Sequence, residues 1–117
     1  MRVQQHDQSL RLRIDEAELA RLLEGGTVRN DTRWPDNHVQ GQRIVLGPAL
    51  AWQRDPEGWC VTLPEVEVRT LAARLPSREG LEFELPIAGH DGLRIRFDVD
   101  VRDSARRRMA RKKGYET

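Results

Sequence analysis

The sequence has one cysteine, few aromatic residues and almost no lysine. Cys60 is the only cysteine among 117 residues, so the chain can form neither an internal disulfide nor a cysteine-based zinc cluster. Its apolar runs fall far short of the roughly 20 residues that span a bilayer. Residues 1–16 also lack the apolar stretch of a secretory signal. These absences predict a cytosolic protein.

The length and composition are those of one globular domain. The chain is 38% hydrophobic and 33% charged, with a mean hydropathy of −0.71. At this size folding buries roughly two-thirds of the unfolded chain's surface, which supports a single core without metal or disulfide. We expect one domain over residues 1–101, followed by a basic C-terminal tail over residues 102–117.

The net charge of +1 conceals a separation of charge along the chain. Residues 102–117 hold seven basic and two acidic residues, a net charge of +5, and residues 1–101 carry −4. Both lysines, Lys112 and Lys113, lie in the tail, and the other eighteen cations are arginines. The protein is therefore a slightly acidic body with a basic tail.

The N-terminal third predicts a strand, a helix and a second strand. Leu10, Leu12 and Ile14 alternate with polar residues, which is typical of a half-buried strand. Asp15, with Glu18 three positions later, predicts a capping box at the start of a short helix. The glycines at 25–26 favour the end of that helix. A strand is then expected over 27–34, up to a proline.

The remainder predicts more strands and a second helix. Residues 35–42 are polar and are expected to form a loop. Strands are expected over 43–46, 49–53, 59–63, 81–85 and 93–101, with turns at 55–58 and 89–92. A helix is expected after Pro64, with Val68, Leu71, Ala72 and Leu75 on its apolar face. The fold class is α+β: a mostly antiparallel sheet or partly open barrel of six to eight strands with two short helices.

The two halves of the chain resemble each other. A shift of 49 positions aligns residues 14–19 with residues 63–68 and pairs Glu16 with Glu65 and Glu18 with Glu67. Two β-α-β-β units are one interpretation. The other is a shared helix-entry signal, because acidic residues are favoured in any first helical turn.

Charged residues alternate with apolar residues in three of the predicted strands and project to one side of the sheet if these strands are neighbours. One interpretation is a solvated face whose cross-strand pairs neutralise each other. The other is a charged surface that holds metal through carboxylates and phosphate through arginines. The residues are Arg11, Arg13, Glu82, Glu84, Arg94, Arg96, Asp98 and Asp100.

The basic tail is the principal candidate contact element. Clustered cations bind nucleic acid through its phosphates, with a strong dependence on salt, and they also suit an acidic protein. A solubilising tail, or one that docks on the acidic body, is the alternative. The candidate residues are Arg106, Arg107, Arg108, Arg111, Lys112 and Lys113.

No catalytic residue, metal ligand or cofactor is predicted. His6, His38 and His90 stand apart in polar turns, so they do not form a zinc-ligand spacing. Cys60 has no neighbouring base that would form a thiolate. The tryptophans lie in or beside predicted strands and are expected to build the core.

The block S-L-R-L-R-I-D-E-A-E-L-A-R-L-L-E-G-G-T-V resembles the opening of a family of small uncharacterised bacterial proteins, in which a strand leads to a short helix and a glycine pair. The run L-R-I-R-F-D-V-D-V is similar to their final strand. The resemblance covers about a third of the chain, and the run at 102–113 departs from it. It implies a bacterial cytosolic origin and no activity.

The sequence as a whole predicts a small cytosolic interaction or accessory module rather than an enzyme, with a basic tail that contacts nucleic acid or an acidic partner. Two alternatives remain open. The first is a phosphate- or nucleotide-handling enzyme that uses the charged strand residues, and the second is a structural homodimer.

Overall fold

The computed structural model describes residues 1–101, which form an α+β fold of eight strands and two helices. The first half contains β1 (Arg2–His6), β2 (Ser9–Asp15), α1 (Glu16–Leu23), β3 (Val28–Arg33) and β4 (Val39–Gly47). The second half contains β5 (Ala51–Asp55), β6 (Gly58–Pro64), α2 (Glu65–Ala73), β7 (Leu81–Ile87) and β8 (His90–Asp100). The same order, strand–strand–helix–strand–strand, therefore occurs twice.

The strands form two sheets of four rather than one. Sheet I has the order β1-β2-β8-β7, and sheet II has the order β3-β4-β6-β5. In each sheet the two central strands are parallel and both edge strands are antiparallel to their neighbours. The expectation of a single sheet or partly open barrel is thus wrong in its specifics, since residues 1–101 form two mixed sheets without a closed barrel.

Each half of the chain contributes one pair of strands to each sheet. Sheet I combines β1 and β2 of the first half with β7 and β8 of the second, and sheet II combines β3 and β4 with β5 and β6. The central pairs have matching registers, because Leu12 pairs with Phe97 in sheet I and Val61 pairs with Ile44 in sheet II. The central strands of the two sheets are therefore equivalent position by position.

The core consists of one face of each sheet and one side of each helix. We call the face of a sheet that carries buried residues its inner face and the opposite one its outer face. The buried apolar residues on these inner faces and on the two helices are Leu10, Leu12, Ile14, Leu19, Leu22, Val28, Ile44, Trp59, Val61, Leu63, Val68, Leu71, Ile95, Phe97 and Val99.

The two helices begin in different ways. Asp15 accepts a bond from the backbone N–H of Glu18 at 2.7 Å, and the Glu18 side chain accepts from the Asp15 backbone N–H at 3.1 Å. The predicted capping box is thus confirmed. The second helix begins after Pro64, whose side chain makes no capping bond, because proline has no side-chain acceptor.

The N-terminal strand β1 and the start of β4 are absent from the sequence prediction. Only Val3 of β1 is even half-buried, so the strand carries no apolar alternation and is recruited by pairing along β2. Strand β4 begins at Val39, inside the predicted loop, for the same reason. Backbone pairing with a neighbouring strand needs no hydrophobic pattern of its own.

Candidate functional site

The outer face of sheet I brings together the charged residues predicted from the three strands. Strands β2, β8 and β7 are adjacent, with Arg11 opposite Arg96, Glu82 opposite Arg96, and Glu84 opposite Arg94. Asp98 stands opposite Arg13. The expectation that these side chains share one side of a sheet is confirmed, and we call this surface the charged face. It also includes Asp100, opposite Asp15.

Ion pairs join the charges of this face across the strands. Asp98 accepts from Arg11 Nε at 3.0 Å, and its other oxygen, Oδ1, lies 3.3 Å from Arg13 Nε. That second contact lacks hydrogen-bond geometry, so both of its atoms are without a hydrogen bond within residues 1–101. Glu82 lies 3.3 Å from Arg96 Nε. The face therefore neutralises much of its own charge.

The charged face is shallow. A groove of about 390 Å³ lies beside Arg11, Glu82, Arg96 and Asp98, and a second of about 420 Å³ lies over Glu84 and Arg94. Arginines and carboxylates line both grooves. Within residues 1–101 no group of three histidine, cysteine or acidic side chains is placed to hold a metal ion.

The other predicted candidates do not converge on a site. All three histidines are exposed: His6 ends β1, His38 lies in the loop between β3 and β4, and His90 begins β8. Cys60 is half-buried in β6, between Gln53 and Arg43 of the neighbouring strands. The six tail residues Arg106, Arg107, Arg108, Arg111, Lys112 and Lys113 lie outside the described residues.

Sheet II carries a polar row on its inner face that the sequence analysis missed. Four directly paired positions cross the sheet from edge to edge: Asn30 of β3, Gln42 of β4, Trp59 of β6 and Arg54 of β5. Asn30 Nδ2 donates to Gln42 Oε1 at 2.7 Å. Side chains paired in this way share one face of a sheet, so amides, an indole and a guanidinium form one continuous line.

The equivalent row of sheet I is almost wholly apolar. It consists of Phe83 of β7, Ile95 of β8, Leu10 of β2 and Gln5 of β1. Ile95 is fully buried and Leu10 is 5% exposed. The equivalent rows of the two sheets therefore differ in chemistry, one apolar and the other polar. Because sheet I packs with apolar residues in this row, the core does not require the amides and the arginine of sheet II.

Two further tryptophans extend the polar row. Trp52 stands directly opposite Val61 on the inner face, and the Arg54 guanidinium lies 5.0 Å from the centroid of its ring. Trp34 follows β3, and its indole Nε1 donates to Gln40 Oε1 at 3.3 Å. We call this surface the tryptophan face. It comprises Asn30, Trp34, Gln40, Gln42, Trp52, Arg54 and Trp59.

The expectation that all three tryptophans build the core is wrong for two of them. Trp59 is 7% exposed, whereas Trp34 is 48% and Trp52 is 38% exposed. Trp34 comes after the end of β3, and Trp52 is on the edge strand β5, which has a neighbouring strand on one side only. Two indoles are thus exposed on the same face of sheet II.

A tight backbone approach supports the polar row. Gly41 and Gly58 precede Gln42 and Trp59 on paired strands, and the Gly41 N–H donates to the Glu57 carbonyl at 2.6 Å. Gly58 has a φ of +148°, and a Cβ there would overlap the Gly41 backbone. Only glycine fits both conditions, so this pair fixes the spacing at which the amide and the indole stand side by side.

The 49-residue shift contains the signal that would have found this face. That shift aligns Leu10 with Trp59 and Gln5 with Arg54. Two otherwise similar halves thus differ at these positions, where the second half has a tryptophan in place of Leu10 and an arginine in place of Gln5. Both pairs lie outside residues 14–19 and 63–68, the segments from which the repeat is inferred.

No protein-family model matches the chain, and no curated protein matches it. The resemblance to small bacterial proteins therefore stays a prediction. Neither helix within residues 1–101 is long and apolar enough to cross a membrane.

Proposed function

We propose that the protein is a small interaction module without catalytic activity, whose basic C-terminal segment contacts nucleic acid or an acidic partner. The observation that carries this proposal is the distribution of charge. Three of the four arginines on the charged face already have carboxylate partners: Arg11 and Arg13 lie against Asp98, and Arg96 lies against Glu82. The net +5 of residues 102–117 stands against a body of −4.

Titration with inorganic polyphosphate and with duplex DNA at low salt tests this function. We expect binding that is lost on deletion of residues 102–117 and that weakens steeply with salt, because each phosphate contact releases a counterion. Neutralising Arg106, Arg107 and Arg108 to glutamine should flatten the salt dependence. The matched control is Arg94→Gln with Arg96→Gln, which removes cations from the charged face and should leave binding unchanged. Equal binding by the deletion variant would refute the proposal.

A phosphate- or nucleotide-handling enzyme is the second candidate. The grooves over the charged face favour it, because arginines and carboxylates line both of them. It predicts metal-dependent thermal stabilisation by triphosphates, abolished in the variant that combines Glu82→Gln with Glu84→Gln. The absence of stabilisation across a panel of triphosphates and polyphosphates would rule it out. A homodimer formed through an exposed sheet edge is the remaining alternative, and sedimentation velocity tests it.

A further inference from the structure

We infer that the tryptophan face binds the bases of single-stranded nucleic acid. This inference rests on the proposed function, since it names the form of nucleic acid that the module contacts. It adds a second element to that contact, on the body of the protein and independent of the basic tail. The observations that carry it are the exposure of the two indoles, the stacked arginine and the charge of the face.

The first observation is the pair of exposed aromatic rings. Trp34 and Trp52 belong to one surface, on opposite edge regions of sheet II, and both are more than a third exposed. Bases of single strands stack on such rings, whereas bases in a duplex have their faces covered by neighbouring base pairs. Two separated platforms suit an extended single strand that crosses the sheet.

The second observation is the stack of Arg54 on Trp52. A guanidinium 5.0 Å from the ring centroid is a cation–π contact, and its own plane can carry a base. This cation is next to the platform, where a phosphate of a stacked nucleotide would lie. An arginine at this place therefore serves base and backbone together.

The third observation is the absence of carboxylates from this face of the described strands. Asp31 and Asp55 lie in β3 and β5, but both alternate onto the outer face, where Asp55 is paired with Arg43. On the inner face the polar side chains are Asn30, Thr32, Gln40, Gln42 and Arg54. The strands thus present one cation, Arg54, and no carboxylate on this face, so they do not repel a polyanion.

The fourth observation is the set of amide groups with hydrogen-bonding capacity to spare. Gln42 uses its oxygen for Asn30, which leaves its amide donors, and Gln40 uses its oxygen for the Trp34 indole. Each glutamine side chain has two donors besides its carbonyl. These amide donors can bond to base-edge oxygens or to phosphates, and they lie between the two exposed tryptophans.

Fluorescence anisotropy with a labelled oligothymidylate of about twelve nucleotides tests the inference. An abasic strand of the same length serves as the base-free probe, because it has the same phosphates, and inorganic polyphosphate reports the tail alone. Full-length protein should bind oligothymidylate at least about tenfold more tightly than the abasic strand, since one stacked base contributes that much. Quenching of tryptophan fluorescence should accompany binding of oligothymidylate only.

The variants Trp52→Ala, Trp34→Ala and Arg54→Gln each remove one contact from the exposed surface. Trp52→Ala should weaken oligothymidylate binding by about tenfold or more and leave polyphosphate binding unchanged. Ile87→Ala is the matched control, because it removes an exposed apolar side chain of sheet I and should leave both affinities unchanged. Circular dichroism checks that each variant is folded, and Arg54→Gln provides a test without the loss of an aromatic ring.

The outcomes separate the inference from the proposed function. Equal affinity for oligothymidylate and the abasic strand, with polyphosphate still bound, would overturn the inference and leave the proposed function intact. Loss of binding to all three probes would overturn both. Binding of a neutral oligosaccharide with tryptophan quenching, and without any base-dependent affinity, would overturn the inference in favour of an uncharged ligand.

Discussion

The inner faces of the two sheets agree in their central rows and differ towards the end of the strands that carries Ile95 in sheet I and Gln42 in sheet II. Phe97 and Leu12 in sheet I, and their counterparts Ile44 and Val61 in sheet II, are all fully buried. One position further out, Ile95 of sheet I stands where sheet II has Gln42. The apolar rows that the sheets share build the core of the fold. The row in which they differ is not needed for the core of sheet II, so its side chains can serve another function.

The largest expected effect tests the part that the sheets share. Phe97→Ala should lower the free energy of unfolding by about 3–5 kcal/mol, because it leaves a cavity at a fully buried site. Its counterpart Ile44→Ala should cost about 2–5 kcal/mol. Urea unfolding measures both. A cost below 1 kcal/mol for either variant would contradict the equivalence of the two sheets.

A reciprocal exchange tests the part in which the sheets differ. Ile95→Gln should cost about 3 kcal/mol, because it loses a buried apolar side chain and buries an amide without a partner. Gln42→Ile should change stability by no more than about 1 kcal/mol, the value of the hydrogen bond to Asn30. Thermal and urea unfolding of both variants give the comparison. Equal costs would show that the polar row is part of the packing.

The helix starts offer a third comparison between the halves. Asp15→Ala should cost about 1 kcal/mol, since it removes the side chain that caps the first helix. Pro64→Ala should cost less, because Pro64 makes no capping bond. Urea midpoints with unchanged slopes would report both effects. A larger loss for Pro64→Ala would mean that the rigidity of proline outweighs the cap.

The smallest effects concern the charged face. Asp98→Asn should cost about 1 kcal/mol, because Asp98 is 18% exposed and faces two arginines. Glu82→Gln should cost at most a few tenths of a kcal/mol, since Glu82 is 75% exposed. Measuring both at low and at 1 M salt is the control, because added salt screens the exposed pair more. A larger loss for Glu82→Gln would contradict the assigned pairing.

The sequence predicts local structure well and partner strands poorly. The capping box at Asp15 and the alternation through Leu12 involve residues that are close in the sequence, so both predict their elements, α1 and β2, without knowledge of the fold. The pairing of Leu12 with Phe97 joins residues 85 positions apart, and no local pattern specifies it. The division into two sheets depends on such pairs, which explains why a single sheet was expected.

The candidate surfaces follow the same division. The charged face could be predicted because its residues alternate with apolar residues along each strand, as Arg94 and Arg96 do around Ile95. The tryptophan face as a whole could not, because the 49-residue shift marks only Trp59 and Arg54, and Asn30 and Gln42 become their neighbours only through the register of sheet II. Tryptophans in strands are usually buried, which predicts a core position for all three. At Trp52 the position on the edge strand β5 overrides this preference.

Sheet II is nested within sheet I along the chain, and this sets the order in which the ribosome delivers the strands. All four strands of sheet II have been made once residue 64 is joined, whereas sheet I waits for β8, which ends at Asp100. At roughly 5–20 residues per second the wait lasts about 2–7 s. During that time one edge of β2 has no strand beside it, so the nascent hairpin of β1 and β2 is the segment that a chaperone would meet first.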